Sequence, residues 1–406
     1  MSALTNNRLT QFFARSGEAE RFAWAAWARR AAIAVVCLAV AHLIYAFFAF
    51  SLFYGRDAHY PDAVFARFET ETPHGGAGSP VGRDSGAPGA GGEGGSAGGP
   101  DKGGSVGMVE ADESPERCER PRAVAIQQAL IRQVVQENLW APARPLYKLG
   151  FFGVVDFQDT PFFDNKASEQ IGILDITRRM AIELTDSLGR LRGTSLQNEE
   201  LANAQAALRV NERAWHVNSP FNDSINTISP SAASSYARAI RLYGAYNDEL
   251  ANCEDLFDTR SDNLRELLNR FTATLGSTTT ELARRSRAYV YDPEVDRFTE
   301  ASGNNAGWFD FEADNYFHRA RGKMYALHGL LQGVRADFNT VLTERNIQEV
   351  WDKMEVAVAE AAVMDPLIVS NGAADSAITP DHLGKMAEVI LRARASMVEL
   401  RDILRN

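Results

Sequence analysis

Residues 379–404 of this chain read TPDHLGKMAEVILRARASMVELRDIL. The apolar residues recur at three- and four-residue spacing, which is typical of an amphipathic α-helix. One face would carry Leu383, Met386, Ile390, Met397, Leu400 and Leu404. We expect Thr379 to cap this helix, Pro380 to take its first position and Asp381 to add favourable charge near its N-terminus. The stretch predicts a protein built from helices that each bury one face.

The same spacing extends through the preceding 260 or so residues. It predicts further helices over roughly 121–135, 168–191, 198–209, 231–252, 261–286, 314–335 and 344–364. Strand signals are scarce, although YVYDPEVDRF at 289–298 is consistent with a short strand and turn. We therefore predict a mostly α fold, with an all-α helical-bundle body over residues 117–406. Its size is compatible with one core or with two subdomains.

Residues 31–55, AAIAVVCLAVAHLIYAFFAFSLFYG, contain no charged side chain. As a helix they would be about 37 Å long, enough to cross a hydrocarbon layer of about 30 Å. The alternatives are a buried helix of a soluble domain and a cleaved signal peptide, whose apolar region usually has roughly 7–15 residues. We predict an uncleaved single transmembrane helix that contacts the lipid bilayer.

The flanks of this apolar run predict its orientation. Five arginines precede it, at positions 8, 15, 21, 29 and 30, whereas Arg56 and Arg67 follow it among four acidic residues. Because Lys and Arg are retained on the cytoplasmic side, residues 1–30 are predicted to be cytoplasmic and the body to be outside. In a Gram-negative cell this means an inner-membrane protein with a periplasmic body. His42 lies near mid-span, where a polar group packs against a neighbour or marks function.

Two segments separate the predicted membrane helix from the body. Residues 56–71 form a juxtamembrane segment, and residues 72–116 are rich in Gly, Ser and Pro, as in GGAGSPVGRDSGAPGAGGEGGSAGGPDKGG at 75–104. A segment with so few large apolar residues cannot offset its chain entropy by burial. We predict a disordered tether with a root-mean-square reach of roughly 35–40 Å.

Composition and motifs exclude several kinds of chemistry. The net charge of −11 argues against a nucleic-acid partner, because phosphate binding needs a basic surface. Asp314 and His318 are four residues apart and would share a helix face, which is half of a metal site. No second such pair, HExxH or GxSxG motif accompanies them. The sequence therefore predicts no catalytic residue, cofactor or metal, with Asp314 and His318 as the weak metal candidates.

Two other groups of residues are candidates for structural or binding roles. Cys118 and Cys253 are candidates for a disulfide in an oxidising periplasm, and the alternative is two free thiols. Arg260, Asp262, Asn263 and Arg265 crowd one helix start, as a hydrated helix end, a buried polar network or a partner-binding face. The aromatic residues between 151 and 163 either belong to the core or line a groove for a peptide or lipid.

Four stretches carry a resemblance to a known family. They are DNKASEQIGIL at 164–174, SDNLRELLNRFTATLGS at 261–277, WFDFEADNYFHRARGKMYAL at 308–327 and HLGKMAEVILRARASMVELRDIL at 382–404. With them, the body and the apolar N-terminal run resemble DUF2333, an uncharacterised bacterial family of single-pass inner-membrane proteins. The resemblance implies membrane attachment and a helical exported body, and it implies no activity.

These observations favour a non-enzymatic envelope protein that binds an envelope partner through its helical body. A cell-wall or lipid hydrolase is the first alternative, and it predicts a deep polar cleft with convergent carboxylates or a Ser/His pair. A periplasmic ligand-binding sensor is the second. It requires a separate membrane partner for output, because residues 1–30 are too short for a signalling domain.

Overall fold

A computed structural model describes residues 24, 27–53, 61–62, 64–66, 118, 120–157, 160, 163–190, 197–215, 230–286, 289–292, 294, 296–300, 310, 312–373, 376 and 378–405. The predicted tether, 72–116, lies entirely outside the described residues. So do nearly all of the predicted cytoplasmic segment and most of the juxtamembrane segment.

The described chain is helical apart from one β-hairpin, which confirms the predicted fold class. The helices are α1 (Trp27–Ser51), α2 (Arg122–Arg132), α3 (Pro145–Leu149), α4 (Asn165–Glu183), α5 (Glu199–Leu208), α6 (Ala232–Ala251), α7 (Ser261–Ser286), α8 (Ala313–Asp337), α9 (Asn339–Glu344), α10 (Gln348–Val363) and α11 (His382–Ile403). Strands β1 (Tyr289–Asp292) and β2 (Arg297–Glu300) pair antiparallel, where the sequence at 289–298 indicated one short strand and a turn.

The N-terminus of α11 differs from the prediction. The carboxylate of Asp381 accepts a hydrogen bond of 2.7 Å from the backbone N–H of Gly384, so Asp381 is the N-cap. Thr379 instead belongs to the preceding turn, where its hydroxyl lies 2.8 Å from that of Ser376. The predicted cap at Thr379 is wrong because Asp381 places its carboxylate at the free N–H groups. Asn198 and Ser231 cap α5 and α6.

Helix α1 is the one helix among the described residues that is long and apolar enough to cross a membrane. It spans 25 residues, and its mean hydropathy reaches 2.5 over its most apolar window. It begins four residues before the predicted span of 31–55 and ends in a π-helical turn, Phe47–Ser51, after which Leu52 is extended. Most of its side chains are exposed.

Helix α8 lies at the centre of the body and packs against α2, α4, α7, α10 and α11. One apolar core surrounds it and includes buried residues from Ala123 to Leu404. The closest approach is between α8 and α4, where a Cβ on Gly172 would collide with the carbonyl oxygen of Arg319. Glycine at this position therefore allows the two backbones to touch.

A buried ion pair links the same two helices. Arg321 of α8 and Glu169 of α4 form a salt bridge of 2.7 Å, with side chains 3% and 1% exposed. Arg321 also pairs with the more exposed Asp365. The quoted stretches at 164–174 and 308–327 thus meet along the centre of the body.

Candidate functional site

One face of α1 packs against the body near the C-terminal end of that helix. Its less exposed residues are Ala39, His42, Ala46, Ala49 and Phe50, at helical spacing, whereas residues 27–38 are all exposed. On the body, the residues that pack around the buried C-terminal end of α1 are Ala141, Tyr147, Phe157, Lys166 and Ala167. We call these five residues the α1-binding site.

The apolar part of this site is a cluster of aromatic rings around Phe50, which is fully buried. The centroid of the Phe50 ring lies 5.3 Å from that of Tyr147 and 5.9 Å from that of Phe157. Phe157 in turn stacks on Phe163 at 4.9 Å and meets the edge of Phe151 at 5.0 Å. Such pairs add about 0.5–1.5 kcal/mol each beyond the burial of apolar area. The predicted aromatic segment therefore forms a second, smaller core that α1 completes.

One polar contact lies at the C-terminal end of α1. The ammonium of Lys166 donates a hydrogen bond of 3.0 Å to the carbonyl oxygen of Ala49. The last carbonyls of a helix have no partner within the helix, and a cation there is favoured by the helix dipole. Burial lowers the pKa of Lys166 to about 8, so its ammonium form predominates at neutral pH. Lys166 thus supplies the C-terminal cap that the sequence of α1 lacks.

His42 provides a third contact, about one helical turn before Ala46 and two turns before Phe50. Its Nε2 lies 3.2 Å from the carbonyl oxygen of Gly150, and its ring centroid lies 5.0 Å from that of Phe152. Nε2 carries the proton in this contact because a carbonyl only accepts. The polar residue at mid-span therefore packs against the body of its own chain.

Gln170, a fully buried residue of α4, positions the body side of the site. Its amide oxygen accepts a hydrogen bond of 2.9 Å from the N–H of Ala141. Its amide nitrogen donates to the carbonyls of Val134 and Leu139, at 3.0 and 2.9 Å. These three bonds fix the segment between α2 and α3 against α4, which places Ala141 beside Lys166 and Ala167.

Buried carboxylates lie close to Tyr147 of the α1-binding site. Asp314 of α8 is 4% exposed, and burial raises its pKa to about 7, with a further increase from the nearby Asp310. Burial also raises the pKa of Tyr147, as does the negative charge of Asp164 and, more weakly, that of Asp314. Asp314 and His318 do share a helix face and are both buried. In the described part of the chain, no group of three or more His, Cys, Asp or Glu residues is arranged to hold a metal ion.

The predicted interaction face at the start of α7 is divided by the structure. Asn263 is 1% exposed, and its side chain donates to the carbonyl of Asp258 at 3.2 Å, so it is not part of that surface. The guanidinium of Arg260 forms a salt bridge of 2.8 Å with Asp258. Arg265 lines a shallow depression of about 290 Å³ with Glu266, Asn269, Arg401, Asp402 and Arg405.

Cys118 and Cys253 form a disulfide, with their Cα atoms 5.3 Å apart. The backbone N–H of Cys118 also donates to the carbonyl of Ala251 at 3.2 Å. The beginning of the body is therefore held at the turn that follows α6. Cys37 on α1 is exposed and is the free thiol of the described chain.

Sequence reasoning did not identify Tyr147, Lys166 or Gln170. The available signal for these residues was the aromatic segment itself. Its uncharged residues 149–155 lie between Lys148 and Lys166 in the sequence. Nothing local to that segment indicates α1 as the element that packs on it, since Lys166 and Ala49 are separated by 117 positions.

The architecture defines a class of protein: a helical bundle packed against its own N-terminal apolar helix. Within that class, the chain belongs to DUF2333, a family described as uncharacterised proteins conserved in bacteria, whose model matches residues 146–406. The match begins in α3, so the resemblance inferred for the apolar N-terminal run lies outside it. Comparisons with curated proteins and with solved structures gave no match.

Proposed function

We propose that this protein is anchored in the bacterial inner membrane by α1 and holds its helical body against the periplasmic face as an interaction module for other envelope proteins. The observation that carries the proposal is the α1-binding site. An apolar helix that is exposed along residues 27–38 packs on the body along one face of its C-terminal half. That arrangement suits a helix that is surrounded by lipid along its N-terminal half.

The same contacts favour an uncleaved helix over a signal peptide. Cleavage after the apolar run would remove Ala46 and Phe50, which are both fully buried in the smaller core. Tyr147 and Phe157 would then lose their contact with the Phe50 ring, whose centroid lies 5.3 Å from that of Tyr147 and 5.9 Å from that of Phe157. A body that has evolved to function without α1 would have no use for this apolar recess.

The charge distribution supports the orientation. The body binds the C-terminal end of α1, and Arg29 and Arg30 lie at the opposite end. The positive-inside rule places those arginines in the cytoplasm, and the body therefore on the outer side.

Anchoring and orientation are tested on the full-length chain in cells. Alkaline carbonate should leave the protein in the membrane pellet, and intact mass should include α1. Protease added after the outer membrane is permeabilised should digest the body, while an N-terminal tag should stay protected until the inner membrane is lysed. A soluble product that begins after residue 55 would refute the proposal.

The role as an interaction module is tested at the depression lined by Arg265 and Arg401. Its flexible charged side chains are typical of a polar recognition surface rather than of a buried ligand pocket. A photo-crosslinking residue at position 265 should yield discrete adducts with an envelope protein, and Arg401→Glu should abolish them. The control is position 353 on α10, where the lysine side chain is 63% exposed. Identical adduct patterns from both positions would count against a specific partner at this surface.

A further inference from the structure

The loop between α3 and the aromatic cluster exposes a set of apolar side chains. Residues 149–155 read LGFFGVV and contain no charge. The exposed fractions are 45% for Leu149, 54% for Phe152, 84% for Val154 and 42% for Val155. Leu146, in α3, is 41% exposed beside them. We call residues 149–155 the apolar loop.

The apolar loop lies against the side of α1 and not beyond its end. The contact between His42 and Gly150 places the loop nine residues before Ser51, which is about 14 Å along the helix axis. The neighbouring α1 residues Leu43, Phe47 and Phe48 are exposed as well. The loop therefore continues the exposed apolar surface of α1, at a level where that helix would be inside the hydrocarbon layer.

The backbone of the apolar loop is closed on itself. Five consecutive N–H groups donate to nearby carbonyls: Gly150 to Tyr147, Phe151 to Val155, Phe152 to Gly150, Gly153 to Leu149 and Val154 to Phe151, at 2.7–3.3 Å. Gly150 makes this turn possible with a φ of +56°, and a Cβ there would collide with the carbonyl of Val155. His42 adds a second hydrogen bond at the Gly150 carbonyl.

These internal hydrogen bonds distinguish the apolar loop from a surface loop whose backbone is bonded to water. Water can satisfy backbone groups on a soluble surface, whereas non-helical backbone at membrane depth must be satisfied by the protein. The apolar loop combines exposed valine and phenylalanine side chains with five internally bonded N–H groups, and both features favour a hydrocarbon environment. Lys148, at its base, directs its ammonium to the carbonyl of Arg213 at 2.6 Å, toward the body.

We propose that residues 149–155 are a re-entrant loop that inserts beside α1 into the acyl chains of the outer leaflet of the inner membrane. The inference rests on the proposed function, because it requires α1 to span the membrane. It adds a second lipid contact, made by the body itself. The body is then embedded in the membrane surface at two adjacent points, and its distance from the bilayer is fixed by the protein fold.

The test uses spin labels on the full-length protein reconstituted into liposomes of bacterial phospholipids. Cys37→Ala removes the free thiol, and Val154→Cys introduces a label in the loop; Cys118 and Cys253 are bonded to each other. The matched control is Val356→Cys on α10, whose native side chain is 67% exposed. We expect the label at 154 to be accessible to oxygen and excluded from a water-soluble nickel chelate, and the label at 356 to show the reverse. Equal nickel accessibility at both positions would overturn the proposal.

A label at position 36 on α1 tests the anchoring proposal separately from the proposed re-entrant loop. Val36 is 61% exposed and lies on the part of α1 that makes no contact with the α1-binding site. If 36 reports lipid and 154 reports water, only the re-entrant loop is refuted. If both report water, the anchoring proposal is refuted with it. A label at 154 that is shielded from oxygen and nickel alike would show that a protein, such as a second copy of this chain, covers the loop, and would also overturn the proposal.

Discussion

The large core of the body and the smaller core at the α1-binding site differ in what completes them. All the buried residues of the large core, from Ala123 to Leu404, belong to the body. Of the six buried residues of the smaller core, Ala46 and Phe50 come from α1. The first is therefore a folding core, and the second is an interface between a folded body and a helix that we place in lipid. Substitutions in the two regions should affect different measurements.

The largest expected effect is in the large core. Arg321→Met leaves the carboxylate of Glu169, 1% exposed, without its guanidinium partner. Loss of one partner of a buried ion pair typically costs about 3–5 kcal/mol of unfolding free energy. Denaturant unfolding of the detergent-solubilised chain measures this loss.

The control for Arg321 is Arg392→Met, which breaks a salt bridge to Glu360 between side chains that are 49% and 40% exposed. It should cost about 0–1 kcal/mol. The double variant Glu169→Gln with Arg321→Met should recover part of the loss because no buried charge is left. Equal losses for Arg321→Met and Arg392→Met would contradict the assignment of the buried pair.

The second effect also concerns the large core. Cys253→Ser removes the link between the start of the body and the turn after α6, which closes a separation of 135 positions. We expect a loss of about 2–5 kcal/mol, as for other disulfides that close long loops. Cys37→Ser should leave unfolding unchanged. Protein isolated from inner membranes should show one alkylatable thiol before reduction and three after reduction. Three alkylatable thiols without reduction would contradict the disulfide.

The third effect is in the smaller core and should spare the large one. Phe50→Ala removes a fully buried ring from the α1-binding site, and we expect α1 packing to weaken by about 3 kcal/mol. Amides at 147–157 should then exchange with solvent faster, by roughly 100-fold. The denaturation midpoint of the body should stay the same.

Phe48 is the matched control for Phe50, because it lies on the same turn of α1 and is 55% exposed. Phe48→Ala should change neither exchange nor denaturation. If Phe50→Ala lowered the denaturation midpoint as strongly as Arg321→Met, the two cores would be one cooperative unit and the comparison would fail.

The smallest expected effect is a pH dependence from Asp314, which lies between the two cores. Its pKa of about 7 is above its ordinary value of 3.8, so between these values the folded state binds a proton that the unfolded state does not. Unfolding free energy therefore decreases as pH rises through this window, by about 2 kcal/mol from pH 5 to 7. Asp314→Asn should remove this part of the slope.

Part of the slope should remain in Asp314→Asn, because burial also raises the pKa of Glu183 to about 7. Asp402→Asn is the control, since that carboxylate is 56% exposed. A slope that is unchanged in Asp314→Asn would show that Asp314 is ionised in the folded protein at pH 5.

The sequence predicted the long helices well because their information is local. α7 has its predicted bounds, and α5 and α6 lie within one residue of theirs. Errors arose where neighbouring residues compete for one role, as with Thr379 and Asp381 at the start of α11. The length of the apolar run was clear, but the N-terminal bound of α1 was not, since Arg29 and Arg30 extend the helix beyond the uncharged residues.

The α1-binding site could not be predicted in the same way, because its contacts join residues that are far apart in the sequence. His42 and Gly150 are separated by 108 positions. Local patterns marked both partners, His42 as a polar residue in an apolar run and residues 151–163 as an aromatic segment. Their pairing depends on how α4 and the segment before α3 are fixed by Gln170, which is a property of the folded body.

Residues near both ends of the Gly-rich segment contact the body, and these contacts bear on the role of the segment's length. Before it, Val64 and Phe65 pack on the large core; after it, Cys118 is bonded to Cys253. The described residues on both sides of the segment are thus held on one body, so the length of the segment does not set how far that body lies from α1. Closure entropy grows only with the logarithm of loop length, about 0.6 kcal/mol for each doubling. Doubling or halving residues 72–116 should therefore leave the position of the body on the membrane unchanged, and natural selection on that length would be weak.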